Sequence, residues 1–314
     1  MLDLKTKDRI AGLIENIEKV FMGKSEAVKL TVIGLFAGGH LLVEDVPGVG
    51  KTILAKTLAK SLDCSFQRIQ FTPDLLPSDI LGVSILNSAN DQFVFKRGPI
   101  FANFVLADEI NRTTPRTQSS LLEAMNDSQV TIDGATYRLP QPFMVIATQN
   151  PIEYEGTYPL PESQLDRFLM RLRIGYPDAP DEKRILYSQQ VQHPLSTIEP
   201  VITANDVLRI QQDVRNVRVD ESISDYILEI VSRTRGHEHL EVGVSPRGSL
   251  SIFRASQALA YMEGRDYVIP DDVKRLAVPV LAHRTITKGL MHENSALFTQ
   301  ELIETILNAV PVPV

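Results

Sequence analysis

The sequence is poor in several things. It has no Trp and one Cys, Cys64, so neither a disulfide framework nor a thiolate metal cluster can be assembled from it. Cys64 reads as a small buried apolar residue. Positive charge is also in deficit. The 32 Lys and Arg against 39 Asp and Glu leave a formal charge of -7, which argues against gripping nucleic acid or an anionic membrane as the main task. Interleaved aromatic and basic clusters are missing, which points the same way. No window reaches the roughly 18 uncharged apolar residues of a membrane span. The nearest, Leu30 to Val43, is broken by glycines and His40. The charges between Asp3 and Arg9 are not followed by the long apolar run of a signal peptide. The expectation is a soluble cytoplasmic protein of 314 residues, long enough for two domains.

What is present is organised around His40 to Leu58. An apolar strand, Leu41-Leu42-Val43-Glu44, runs into Asp45-Val46-Pro47-Gly48-Val49-Gly50-Lys51-Thr52, and Ile53-Leu54-Ala55 continues as a helix. Glycines admit close approach of the backbone. Successive N–H groups and a helix N-terminus face an anion, and a lysine adds a point charge, so the stretch reads as a phosphate-binding loop. Pro47 to Ile53 are its binding residues, and the Thr52 hydroxyl would sit on a Mg²⁺ ion between the β- and γ-phosphates. One departure stands out: the pattern G-x-x-x-x-G-K-[ST] asks for glycine where this chain has Asp45.

Around that loop the periodicity predicts helices over Leu4–Val20 and Glu26–Ala37, with the loop's own helix running to about Leu62. Strands are expected over Phe66–Phe71, Asn103–Ala107 and Phe143–Thr148, a helix over Thr117–Asp127, and a helix passing into a strand over Leu165–Ile174. Hairpins are expected at 83–95 and at 130–137, the second with Asp133-Gly134 at its tip. Strands alternating with helices imply a parallel sheet. Tyr176-Pro177-Asp178-Ala179-Pro180 reads as a boundary, giving domains over 1–178 and 179–314. After it only helices are expected: Glu182–Gln190, Ala204–Val214, Glu221–Arg235, Ser249–Glu263, Pro270–Leu281 and Phe298–Val310.

Three further stretches bear on chemistry. Val105-Leu106-Ala107-Asp108-Glu109 ends a buried strand in two acids at the sheet's carboxyl edge, where ligands of such sheets bind. Asp108 suits a Mg²⁺ ligand and Glu109 the base that orients and deprotonates an attacking water. Met144 to Pro151 ends in Asn150, whose amide could bond both a γ-phosphate oxygen and that water; alone, Asn-Pro is equally a turn signal. Arg167 stands near a short helix, where an arginine finger acting across a subunit boundary and a local ion pair with Glu162 both stay open. Arg247, beside Pro246 at a helix start, could reach back to the phosphates or simply face solvent.

Taken together, these elements resemble the AAA+ ATPases, specifically the MoxR family, over essentially the whole chain. The likeness is carried by Val20-Phe21-Met22-Gly23-Lys24, Leu42 to Thr52, Arg68 to Asp79 and Gly98-Pro99-Ile100-Phe101, with Leu106 to Arg112, Ala147 to Pro151 and Leu165-Asp166-Arg167-Phe168. Asp45 is similar to what that family tolerates. The resemblance implies an α/β domain with a five-stranded parallel sheet, plus a C-terminal all-α lid. It implies ATP/ADP and Mg²⁺ as cofactors, Gly50, Lys51 and Thr52 as Walker A, and Asp108 with Glu109 as Walker B. Asn150 becomes sensor 1, Arg167 an arginine finger on a neighbour's ATP, and Arg247 sensor 2; Arg112 and Arg171 are further candidates for contacts across subunits.

The resemblance further implies a homo-oligomeric ring, usually a hexamer. The hairpins resemble insertions of the helix-2-insert clade, which includes magnesium chelatase ATPases. The Gly-Ala-Phe-Thr-Gly-Ala motif of enhancer-binding activators is absent. The implied activity is ATP-driven, chaperone-like remodelling of a protein client, with von Willebrand factor A-domain proteins among the partners. A nucleic-acid-stimulated motor and a non-hydrolysing nucleotide switch are the alternatives.

Overall fold

A computed structural model describes residues 4–87, 91–150, 156–188, 190, 193–289 and 292–313. Two helices, α1 (Leu4–Glu18) and α2 (Ser25–Phe36), precede β1 (Leu41–Glu44) and α3 (Lys51–Ser61). Then come β2 (Phe66–Gln70), a short α4 (Pro77–Leu81) and the hairpin β3 (Gly82–Asn87) and β4 (Gln92–Arg97). β5 (Phe104–Asp108), α5 (Pro115–Asp127), the hairpin β6 (Gln129–Ile132) and β7 (Ala135–Arg138), and β8 (Met144–Gln149) follow. The α/β part closes with α6 (Glu162–Leu165) and β9 (Met170–Leu172).

The five long-range strands form one parallel sheet in the order β2-β5-β8-β1-β9. Both its faces are covered, so its central strands are continuously apolar rather than alternating with polar residues. Side chains still divide by parity. Leu41, Val43, Phe104, Leu106, Met144 and Ile146 face the core under α1–α3. Leu42, Val105, Ala107, Val145 and Ala147 face the core beneath α5. The order and direction bring the carboxyl ends of β1, β5 and β8 side by side.

The second part comprises α7 (Ala179–Ser188), α8 (Ala204–Arg215) and α9 (Glu221–Arg235), then β10 (Leu240–Val242), α10 (Pro246–Met262) and α11 (Pro270–Leu281). β11 (Ile286–Thr287) and α12 (His292–Ala309) complete it. The starts of α8, α9 and α10 are capped as their sequences dictate. The Thr203 hydroxyl accepts from Asp206 N–H, the Asp220 carboxylate from Ser222 N–H, and the Ser245 hydroxyl from Gly248 N–H, each satisfying a first-turn donor. The apolar faces of α8 to α12 join the cluster under α1–α3, so this part shares a core with one side of the sheet. No described helix is long and apolar enough to cross a membrane.

The expected α/β sheet with a helical second part is therefore what the chain forms, with three adjustments. A small antiparallel ribbon, β10 with β11, interrupts the helices of the lid. The helix expected from Leu165 ends there instead: α6 has only four residues and a turn separates it from β9. Cys64 is half-buried rather than buried, and burial pushes its thiol up to about 11. Ser88, Ala89 and Asn90 of the first hairpin turn, Pro151, and Gln189 of the expected helix after the boundary lie outside the described residues.

The two hairpins lean on each other. The Phe95 and Tyr137 rings lie 4.4 Å apart, and the Ser84 hydroxyl bonds the Asp133 carboxylate at 2.6 Å. Asp133 and Gly134 both take positive φ, as a two-residue Asp-Gly turn requires.

Candidate functional site

The loop between β1 and α3 is shaped by two glycines in the left-handed region, Gly48 at φ 87° and Gly50 at φ 91°. A side chain at Gly48 would meet no atom within 4 Å, so the glycine there serves conformation and leaves the loop's outer side open. Gly50 immediately precedes α3, whose first turn is capped by no side chain, which leaves backbone N–H groups for an anion. Pro47 and Gly48 are exposed, Val49 is buried in the core, and Gly50 to Ile53 are half-buried.

The Lys51 ammonium donates to Asp45 O at 2.6 Å, spanning the loop. Burial lowers its pKa while Asp45, Asp108 and Glu109 act against that shift, so one ammonium lies in the field of three carboxylates.

Asp45 explains why the loop departs from the usual pattern. Its carboxylate accepts three backbone N–H bonds: from Val46 at 2.9 Å, and from Ile174 and Gly175 at 2.6 and 2.7 Å. A glycine could not make this anchor. Here the start of the loop is pinned to the chain leaving β9.

The acid pair stands one strand away from β8. Asp108 ends β5, and its Oδ1 accepts from the Thr148 hydroxyl at 2.6 Å. Arg68 donates to Oδ2 from Nε at 3.0 Å and from Nη2 at 2.6 Å. Glu109 is held in the left-handed region at φ 58°, uncommon for a residue with a side chain. Its N–H donates to the same Thr148 oxygen at 2.8 Å. Its carboxylate accepts from the Gln70 amide at 2.8 Å and pairs with Arg112 at 3.2 Å. One fully buried hydroxyl thus holds the Asp108 carboxylate and the Glu109 backbone together. Asn150 lies buried just beyond β8 on the same edge of the sheet.

The donors present suit a polyphosphate, and the hard oxygens of Thr52 and Asp108 suit Mg²⁺. Sequence reasoning missed Thr148, Arg68 and Gln70. Thr148 could have been suspected as a hydroxyl in the apolar run Met144 to Ala147, and Arg68 and Gln70 as alternate polar residues at the end of β2.

Arg167 and Arg247 lie elsewhere. Among the described residues neither is hydrogen-bonded to the phosphate loop or the acid pair. Arg167 Nη1 donates to Leu122 O on α5 at 3.0 Å, while its Nε is buried with no partner among the described residues. Arg247 is exposed on the first turn of α10. Arg171 pairs with Glu44 at 3.2 Å, with its Nη2 buried and unpartnered among the described residues, and Arg112 pairs with Glu109.

Behind these elements lie two buried histidines. His40 donates from Nε2 to Met125 O and accepts from Val145 N–H at Nδ1, both at 3.0 Å, and burial lowers its pKa to about 4. His283 is likewise pushed well below its ordinary value by burial and by the adjacent Arg284. Arg284 itself is brought down to about 10 by burial, opposed by Asp166.

Comparison with known proteins places this geometry in context. Residues 40–170 match the family described as the ATPase family associated with various cellular activities, and residues 232–306 match the AAA lid domain. YeaC of Bacillus subtilis, itself uncharacterised, is 52% identical over 304 residues, covering 96% of this chain and 94% of that one. A Mycobacterium tuberculosis protein named Chaperone MoxR1 is 43% identical over 282 residues, covering 87% of this chain and 74% of its own length. A crystal structure of an inferred ATPase from Cytophaga hutchinsonii superposes with a TM-score of 0.89 at 41% identity, covering 98% of this chain and 96% of that one.

Proposed function

Because the chain belongs to the MoxR family of AAA ATPases, we propose that it hydrolyses ATP with Mg²⁺ and uses the cycle to remodel or mature a protein client. The observation that carries this reading is the Thr148 hydroxyl bonded to the Asp108 carboxylate and to the Glu109 backbone N–H, with the Lys51 ammonium in the field of both acids. Such an arrangement supports a metal-binding carboxylate and a base beside a phosphate loop, where electrostatic stabilisation counts most.

Residues Pro47 to Ile53 would hold the phosphates through backbone N–H groups, with Lys51 as the point charge. Thr52 and Asp108 would hold the Mg²⁺, which would supply charge neutralisation of the phosphates. Glu109 orients the attacking water and takes its proton. Asn150 positions that water and the γ-phosphate. Arg167 acts in a neighbouring copy's site, and Arg247 reports the nucleotide to the lid, in a ring of six protomers.

We place the nucleotide domain at residues 1–178 and the lid at 179–314. Its sharing of a family with a relative named a chaperone supports a protein client. A von Willebrand factor A-domain protein is the partner class the resemblance suggests. Phosphate release by purified protein, with and without Mg²⁺, tests the reading. Nucleotide binding with no release would replace it with a non-hydrolysing switch.

A further inference from the structure

Arg284 is the most heavily engaged side chain of the lid that the proposed chemistry does not use. It follows α11, is only 4% exposed, and reaches out of the lid into the turn between α6 and β9. Its Nε donates to the Asp166 carboxylate at 2.9 Å, Nη2 to Phe168 O at 2.5 Å, and Nη1 to Leu169 O at 3.2 Å. Asp166 in turn accepts at its other oxygen from the hydroxyl of Ser245, at 3.0 Å. Ser245 caps α10, on whose first turn Arg247 stands.

Arg167 lies inside this grip. The residue before it and the two after it are all fastened to the lid. Among the described residues the Arg167 side chain makes one hydrogen bond, to Leu122 O, and leaves a buried Nε unmatched. Its own contacts therefore do little to fix where its guanidinium stands, and the flanking backbone does most of it. Ser245, Asp166 and Arg284 connect the turn carrying Arg247 directly to the turn carrying Arg167.

We propose that Arg284 is a positioning residue for Arg167, coupling the lid's placement over a protomer's own nucleotide to the arginine that protomer offers its neighbour. This rests on the reading of Arg167 as an arginine acting in trans. Arg284 touches no reacting atom. It acts by holding the chain on both sides of one that does.

The test uses full-length Arg284→Lys and Asp166→Asn, with Arg167→Ala as reference. Three quantities are measured: steady-state phosphate release, affinity for a fluorescent ADP analogue, and turnover on mixing with excess Lys51→Ala. The last variant cannot bind nucleotide but offers an intact Arg167. Both test variants are expected to lose about 10- to 100-fold in kcat, the scale of a misplaced catalytic group, while KM and ADP affinity stay within about twofold. Excess Lys51→Ala should restore most of the turnover per variant protomer, because the defect lies in what each copy gives rather than in what it holds.

Normal kcat in both variants overturns the inference. So does a loss that weakens ADP binding in parallel and is not rescued by mixing, the signature of a merely structural role. Should Arg284→Lys not fold, the isosteric Asp166→Asn decides alone. If Arg167→Ala is itself fully active, the trans arginine falls and this inference falls with it. If Arg167→Ala is dead and rescued by mixing while Asp166→Asn turns over normally, the trans arginine stands and only the positioning role is lost.

Discussion

The phosphate edge and the arginine turn are built in opposite ways. At the edge, polar and charged groups are held locally: Arg68 and Thr148 on Asp108, Gln70 and Arg112 on Glu109, Lys51 on its own loop. Each of these residues sits on or next to the sheet. At the turn between α6 and β9, the grip comes from the lid, through Arg284 and Ser245, far along the chain. The edge is held by neighbours on its own sheet. On the proposed reading, the group offered to another copy is the one whose turn is held by the lid.

The sharpest way to break this comparison is at the base. Glu109→Gln should keep nucleotide binding and lose about 1000-fold in turnover, since the base and its field are removed together. Lys51→Ala should abolish nucleotide binding. Near-normal phosphate release by Glu109→Gln would mean that the edge is a scaffold and the chemistry lies elsewhere.

A second prediction probes what supports the edge from below. Folded His40 has a pKa near 4 against an ordinary 6.5, so between those values the unfolded chain takes up a proton that the folded chain refuses. The stabilisation is fully present above about pH 6.5 and is lost as pH falls toward 4, an amount of about 3 kcal/mol. Denaturant melts of the parent and His40→Asn across that window should show the variant's profile flatter by that amount. Equal slopes would remove His40 from the account.

Smaller still is the effect of the shared hydroxyl. Thr148→Val should cost about 1 kcal/mol in stability, because two half-buried groups lose their partner, and should lower kcat further than it changes ADP affinity. A variant with unchanged kcat would show that Glu109 needs no bridge. Smallest is the surface pair Arg275–Glu26, held at 2.8 Å between α11 and α2. Glu26→Gln is expected to change stability by no more than about 0.5 kcal/mol. A larger effect would mean that the lid is fastened by its surface as well as by its core.

How much of this could be read from residues alone follows the same division. The strand-end positions of the phosphate loop, the acid pair and Asn150 were legible because each is a short, typed pattern. The parallel sheet was legible because its strands are apolar runs between helices. Arg284 was not, because its role depends on a turn more than a hundred residues earlier in the chain. Nor was α6, whose four residues give periodicity nothing to work on, nor the ribbon of β10 and β11, whose strands have three and two residues. Asp45 was visible only as an exception. Its three backbone bonds show it to be an anchor, which no pattern of spacing encodes.

The apolar cluster beneath α1–α3 extends without a break into α12. One cooperative unit thus spans what the chain presents as two domains, and a calorimeter should record one transition where a protease map would draw a boundary. Free energy released when a ligand seats on the phosphate loop is then shared by every amide whose exposure requires that unit to open. Slowed hydrogen exchange in Ile303 and Ile306, at the far end of the lid, would be its most distant trace.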